Sequence, residues 1–426
     1  MRKELSERLG IVKKHVDDGA YTVMIIGLGS VGCFLLDYLM SAGDEALQIV
    51  VVGRSREKME ESVNIVRVSA LIRGQARSRV SIEDGVDLDD ISAIRAVIDK
   101  CQPDFIVNSS RAYSGLKYGI ISWTNFRAYG IWAPLAIRFT KNIMQACDEV
   151  SSDAIVINTS YSDAVIPWLK STGRAYPDFG SGNFNHLVPR IRYAVSELLG
   201  VTDYWNVDVV FAAGHFHDVV ISKEGHTEGV DLPLKIWYKG EEIGLTDEAE
   251  PGSGEGVDGG TSEGTRSGSA NDERASFNDR VLSKTEIFHR CAIAMPTDAR
   301  RNQMNASSNY RIIRGVVDVM RGLPGVRLFI PGAFGEIGGY PVCVSERSAR
   351  IDESVISFEE MNRTNRRSMY LDGIEDVRDG CLFYTDELIE KVRDKFGTEL
   401  PKTVHFDEID KVAAFLIEDV IHKAGK

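Results

Sequence analysis

The sequence predicts an α/β protein, with a doubly wound parallel sheet in its N-terminal part followed by a mixed α+β region, and three observations carry this. The apolar run Val23-Met24-Ile25-Ile26 enters Gly27-Leu28-Gly29-Ser30-Val31-Gly32, and an apolar stretch with helical spacing follows from Cys33 to Met40. A second buried strand, Ile49-Val50-Val51-Val52, ends at Gly53-Arg54-Ser55-Arg56. Two more short apolar runs, residues 104–108 and 154–158, alternate with helical segments and each ends in Asn. A G-x-G-x-x-G turn between a strand and a helix is the signature of a Rossmann sheet.

Each glycine of the turn has a separate task. Gly27 permits the tight turn, Gly29 lets the backbone approach a pyrophosphate, and Gly32 lets helix and strand pack closely. The N–H groups at the helix start, around Ser30 and Val31, are offered to the anion. The tip of the second strand then selects the dinucleotide. A site for NAD places Asp or Glu there for the ribose 2′-OH, but this chain has Gly53, then Arg54, Ser55 and Arg56. Two guanidinium groups and a hydroxyl suit a 2′-phosphate, so NADP is expected as the cofactor and NAD is the second choice. Strand tips along one edge of a parallel sheet are where ligands bind, which places Asn108, Ser109, Ser110 and Asn158 at the cofactor cleft.

Composition points to a soluble, cytoplasmic protein. The net charge of −13 argues against a nucleic-acid surface. Residues 21–40 are apolar enough to suggest a membrane span, yet their glycines and Asp37 fit strand, turn and helix better. Residues 1–20 are charged throughout and predict a short surface helix, not a signal peptide. The six cysteines, Cys33, Cys101, Cys147, Cys291, Cys343 and Cys381, are scattered without zinc spacing and predict buried thiols, so no metal site is expected.

The remaining elements follow in order. A helix is expected over residues 132–150, with Pro134 tolerated in its first turn. A strand falls within 206–220 and ends in Gly214-His215-Phe216-His217-Asp218, and residues 232–245 form a hairpin turning at Lys239-Gly240. Between Glu241 and Gly260 there are seven acidic residues and no basic one, and the Gly-, Ser- and acid-rich stretch at about 246–275 predicts a mobile surface insertion. A helix over 308–321, strands within 326–344 and helix over 386–423 complete the pattern. The domain expectation is a helix at 1–20, a dinucleotide-binding domain at 21–165 and a substrate domain at 166–426. Trp123, Tyr129, Trp132 and Trp168 suggest a roomy site or an apolar core.

The order of the motifs resembles the lactate and malate dehydrogenase family. The residues concerned are the turn at Gly27, residues 153–163, Gly180-Ser181-Gly182 through Arg190-Ile191-Arg192 to Val201, Gly214-His215, Ser307-Ser308-Asn309-Tyr310 and Gly338-Gly339-Tyr340-Pro341-Val342. The resemblance implies that His215 exchanges the substrate proton, that Arg190 holds a substrate carboxylate and that Arg127, with Arg111 in reserve, polarises the carbonyl. It also implies a small carboxylated substrate of the 2-hydroxy acid or 2-oxo acid type, and a homodimer or homotetramer.

Two departures stand out. Leu187 takes the place of the aspartate that orients the histidine in that family, so Asn185 is the candidate for that task, and Ser160 falls where the family has an asparagine. The motifs also resemble family 4 glycosidases, in which His217 would be a metal ligand; Gly180-Ser181-Gly182-Asn183 has no cysteine for that metal, which ranks this reading second. A dinucleotide-binding sensor or scaffold without turnover is the third.

Overall fold

A computed structural model describes residues 2–215, 231–247, 280–291 and 298–424. His217 and nearly all of the acidic insertion lie outside the described residues.

Helix α1 (Leu5–Asp17) precedes β1 (Tyr21–Ile26), α2 (Ser30–Ser41), β2 (Leu47–Val52), α3 (Arg56–Ile72), β3 (Arg79–Glu83), α4 (Ile91–Cys101), β4 (Phe105–Asn108), α5 (Gly115–Asn125), α6 (Ala133–Glu149), β5 (Ile155–Asn158), α7 (Ser162–Ser171) and β6 (Phe179–Gly180). These strands form one parallel sheet in the order β3-β2-β1-β4-β5-β6, the doubly wound order of a dinucleotide-binding sheet. Its last strand comes from beyond residue 165, so the sheet extends into the segment that the motifs assign to the second domain. The segment over 21–40 is strand, turn and helix, and no helix among the described residues is long and apolar enough to cross a membrane.

Strands buried on both faces feed two cores. Met24, Ile26 and Ile106 point to one side, where Trp132, Ile143 and Trp168 meet the C-terminal Leu388, Leu416 and Val420. Val23, Ile25, Phe105 and Val107 point to the other, where Leu9 and Leu35 meet Ile312, Val316 and Leu328. The C-terminal half therefore covers both faces of the N-terminal sheet.

After β6 come α8 (Phe184–Leu199) and β7 (Val207–Phe211), then the hairpin β8 (Leu234–Tyr238) and β9 (Glu241–Thr246), which turns at Lys239-Gly240. Next are β10 (Val281–Ser283), α9 (Lys284–Arg290), α10 (Asn302–Met320), β11 (Val326–Pro331), β12 (Gly339–Ser345), β13 (Ser348–Ile351) and α11 (Phe358–Leu371). The end of the chain differs from expectation. Residues 374–384 form a hairpin of β14 (Ile374–Arg378) and β15 (Cys381–Tyr384), and the helical stretch expected over 386–423 is divided. Gly397, at φ +61°, caps α12 (Asp386–Phe396), and β16 (Thr403–His405) pairs with β15 before helix resumes at α13 (Ile409–Phe415).

Helix α1 is more than a surface helix, because Leu9, Val12 and the Arg8 stem are buried. Arg8 donates to both oxygens of Asp178, at 2.6 and 2.5 Å, and Asp178 also accepts from Val156 N–H in β5. Burial alone would raise the Asp178 carboxyl, but Arg2 and Arg8 hold it below its ordinary range. Arg8→Ala leaves a buried carboxylate with less compensation, so unfolding free energy should fall by about 3 kcal/mol in thermal denaturation. A change under about 0.5 kcal/mol would mean that α1 is not fastened to the sheet by this pair.

Candidate active site

Strand β1 delivers the chain to Gly27 at φ +90°, a conformation that L side chains rarely adopt; a Cβ there would also crowd the Ser110 main chain. Gly29 is the N-cap of α2, and a Cβ placed on it would meet nothing within 4 Å. There is thus open room above a helix start that no side chain among the described residues caps, so the N–H groups of Ser30 and Val31 can meet an anion. Gly32 packs against the Gly27 carbonyl, where no Cβ fits.

A cavity of about 1220 Å³ opens from this turn. Gly27, Gly29, Ser30 and Val31 line one end, with Arg54 and Ser55 at the tip of β2, Lys58 in the first turn of α3, and Ser109 and Ser110 beyond β4. Its far end is lined by Arg111, Tyr129, Asn183, His186, His215, Arg301 and Asn305. The room over Gly29, the uncapped helix and the cationic strand tip fit a dinucleotide carrying a 2′-phosphate.

Other cofactor candidates sit elsewhere. Arg56 is directed to carboxylates, 3.1 Å from Glu60 and 3.0 Å from Asp84, and does not line the cavity. Asn108 and Asn158 lie beneath it as a buried brace. Asn108 donates to Thr140 and Asn158, Asn158 donates to Ser160 O and Ser162 Oγ, and Ser110 donates back to Asn108. These bonds shape the strand tips without facing a ligand.

His215 is 5% exposed and lies at the far end of the cavity. Its Nε2 is 3.1 Å from Asn183 Nδ2, and its Nδ1 is 3.4 Å from Asp372 Oδ2. An amide nitrogen only donates, so Nε2 accepts and the ring proton of the neutral imidazole sits on Nδ1, toward the carboxylate. The Tyr129 ring stacks on the imidazole at 4.7 Å, and Tyr161 meets it edge-on at 5.2 Å. Asp372 caps the end of α11 and also accepts from Tyr161 Oη and Tyr129 N, both at 2.6 Å. A carboxylate therefore does stand behind the histidine, supplied from far along the chain and not from α8.

The candidates on α8 are occupied otherwise. Asn185 donates to Phe329 O at 2.6 Å and accepts from Gly182 N, so it braces the start of α8 against β11 while Asn183 meets His215. Arg190 does not line the cavity; it is buried and donates to the Cys291 carbonyl. Arg127, at φ +48°, does not line it either and lies over the Trp123 ring at 4.8 Å. Trp123, Tyr129 and the reserve residue Arg111 do line the cavity, whereas Trp132 and Trp168 are core. Asp372 and Tyr161 had no local signal. Asn183 had one, its place two residues before Asn185 at the head of α8.

Residues 23–120 match a family model described as the saccharopine dehydrogenase NADP binding domain. The N-terminal domain is thus of an NADP-binding dehydrogenase type, in agreement with Arg54 and Ser55 at the strand tip. No curated protein matches the chain. Among solved structures, the chain is similar to the malate dehydrogenase of Cryptosporidium parvum, with 12% identity over 83% of this chain and 98% of that one and a TM-score of 0.49. The coarse function is that of an NAD(P)-dependent oxidoreductase built on a Rossmann domain.

Arg54 and Arg56 now part company. Arg54→Ala should weaken NADPH by about tenfold or more while leaving NADH nearly unchanged, and Arg56→Ala should cost less because its guanidinium already serves Glu60 and Asp84. Fluorescence titration of both nucleotides checks this, and equal losses for NADPH and NADH would remove Arg54 from the 2′-phosphate.

His186 gives the cavity an acid limit. Burial, and then the nearby Arg190 charge, push its imidazole down to about 4. The unfolded chain takes up that proton first, near pH 6.5, so the stability is present above that pH and is lost as pH falls toward 4. The loss should be about 3 kcal/mol, and His186→Gln should flatten this part of the stability curve. An unchanged pH dependence in chemical denaturation would refute it.

Proposed function

We propose that the protein is an NADP(H)-dependent oxidoreductase that interconverts a hydroxyl and a carbonyl on a small carboxylated substrate, with His215 as the acid/base. The observation that carries this reading is that His215, backed by Asp372, lines the same cavity as the G-x-G-x-x-G turn. The likeness of the motif order to lactate and malate dehydrogenases favours a 2-oxo acid as the substrate type. Bound NADPH supplies the hydride.

The work of the chain is to hold and move a proton. In the reducing direction the substrate oxygen takes the place of Asn183 Nδ2 at Nε2, and His215, protonated on both nitrogens, gives that oxygen the Nε2 proton as charge develops on it. Asp372, behind Nδ1, stabilises the imidazolium before the transfer and fixes the ring position afterwards. Tyr129 and Tyr161 restrict ring rotation from a face and an edge, so little orientation is lost on approach to the transition state. The burial of His215 keeps competing water away from Nε2.

His215→Gln should lower NADPH oxidation in the presence of 2-oxo acids by about a thousandfold or more, with NADPH affinity within about twofold of wild type. Asp372→Asn should cost about a hundredfold or more, and Tyr161→Phe less, since it removes one of several contacts to Asp372. Absorbance at 340 nm with pyruvate, oxaloacetate and 2-oxoglutarate reads all three. Turnover that survives His215→Gln would end the acid/base assignment.

A further inference from the structure

Arg190 and Arg127 both lie outside the cavity, so an acid group on the substrate needs another host. We propose that Arg111 and Arg301 together form a carboxylate-binding subsite beside His215, a reading that rests on the hydroxyl–carbonyl chemistry above. The face of α5 that borders the cavity carries Gly115 and Gly119, one helical turn apart. A Cβ on Gly115 would collide with the Arg111 guanidinium, and a Cβ on Gly119 would come within 3.4 Å of Arg301 Nη2. The missing side chains leave a notch in which two guanidinium groups from distant parts of the chain lie along one helix face.

Both arginines line the cavity, as does Tyr129, whose ring stacks on His215. Arg111 donates to Tyr118 Oη at 3.2 Å and is also hydrogen-bonded to the Tyr129 side chain, which leaves the rest of its five N–H groups for a ligand. No carboxylate among the described residues forms an ion pair with Arg111 or Arg301, whereas Arg138 in the same lining pairs with Asp89 and Asp410. In this half-buried notch, burial, with a smaller contribution from the Arg111 charge, pulls the Arg301 guanidinium below its ordinary range, while Tyr118 raises that of Arg111. A planar carboxylate offsets the cost to Arg301 and accepts bidentate bonds from the two forks. Arg301 also adjoins Asn302, which donates to Ser30 Oγ at the start of α2, so the competing assignment is to the cofactor phosphates.

Titration calorimetry with oxalate on the full chain saturated with NADP⁺ tests the proposal. Wild type should bind oxalate, and Arg111→Gln and Arg301→Gln should each weaken it by about tenfold or more, with NADPH affinity within about twofold of wild type. Arg301→Lys, which keeps the charge but not the fork, should fall between and guards against a folding defect. Three results would overturn the subsite: no oxalate binding by wild type, an oxalate affinity unchanged from wild type in either Gln variant, or a loss of NADPH affinity larger than the loss for oxalate. If only the acid/base reading fails, turnover survives His215→Gln while oxalate binding still depends on both arginines. If only the subsite fails, His215→Gln abolishes turnover while oxalate affinity ignores them.

Discussion

The carboxylate of Asp372 is fully buried, and the geometry of the His215 end of the cavity depends on how that charge is compensated. An isolated carboxylate in such a place is costly unless donors surround it. Here the donors are the Tyr129 N–H and the Tyr161 hydroxyl, with His215 Nδ1 facing the same oxygen as Tyr161. The Asp372 carbonyl also accepts from Gly130 N–H. One residue thereby gathers the loop before α6, the residue before α7 and the segment after β7. Asp163 lies nearby, and burial, with a smaller contribution from Asp372, pushes its carboxyl up to about 7. Near neutrality, that neighbour can stay protonated and spare the pocket a second full negative charge.

The two ends of the cavity are held in register by α10. Its first residue, Asn302, bonds to Ser30 at the head of α2, and Asn305, one turn later, lines the cavity with His186. Further along, Asn309 exchanges hydrogen bonds with Thr159 just beyond β5. A single rigid helix therefore spans from the start of the dinucleotide-binding helix to a strand tip near Tyr161. Displacement of α10 would disturb both ends of the cavity together.

How much of this was legible in the sequence follows the range of the interactions concerned. The turn at Gly27, the cationic tip of β2, the hairpin at Lys239-Gly240 and the histidine after β7 are local patterns, and each lies where the chain predicts. The imidazole's partner is not local. Asp372 is separated from His215 by several strands and helices, and nothing in its neighbourhood marks it, because its function arises only when α11 ends against the Tyr129 loop. Asn185 and Arg190 show the converse. Their spacing on α8 matches a substrate-facing pattern, but tertiary packing assigns their side chains to the Phe329 and Cys291 carbonyls. The C-terminal periodicity misled for a related reason: the apolar spacing continues through Gly397 and Pro401, where the backbone turns aside and pairs as β16.

The charge distribution then gains a meaning that net charge alone hides. The chain carries −13 overall, yet Arg54, Lys58, Arg111 and Arg301 line the cavity without an ion-pairing carboxylate among the described residues. Asp87 and Asp89 are the acidic residues of that lining, and Asp89 is matched by Arg138. A positive cleft in an acidic body concentrates field lines where walls of low polarisability exclude water. Diffuse negative charge elsewhere opposes adsorption to polyanions, while the cleft keeps a local attraction for small anions of the right shape. Arg301, half-buried beside Arg111 and without a carboxylate partner among the described residues, is charged at a cost in the free protein, and an anion bound there offsets that cost, whereas an exposed pair such as Arg56 with Glu60 and Asp84 is already answered.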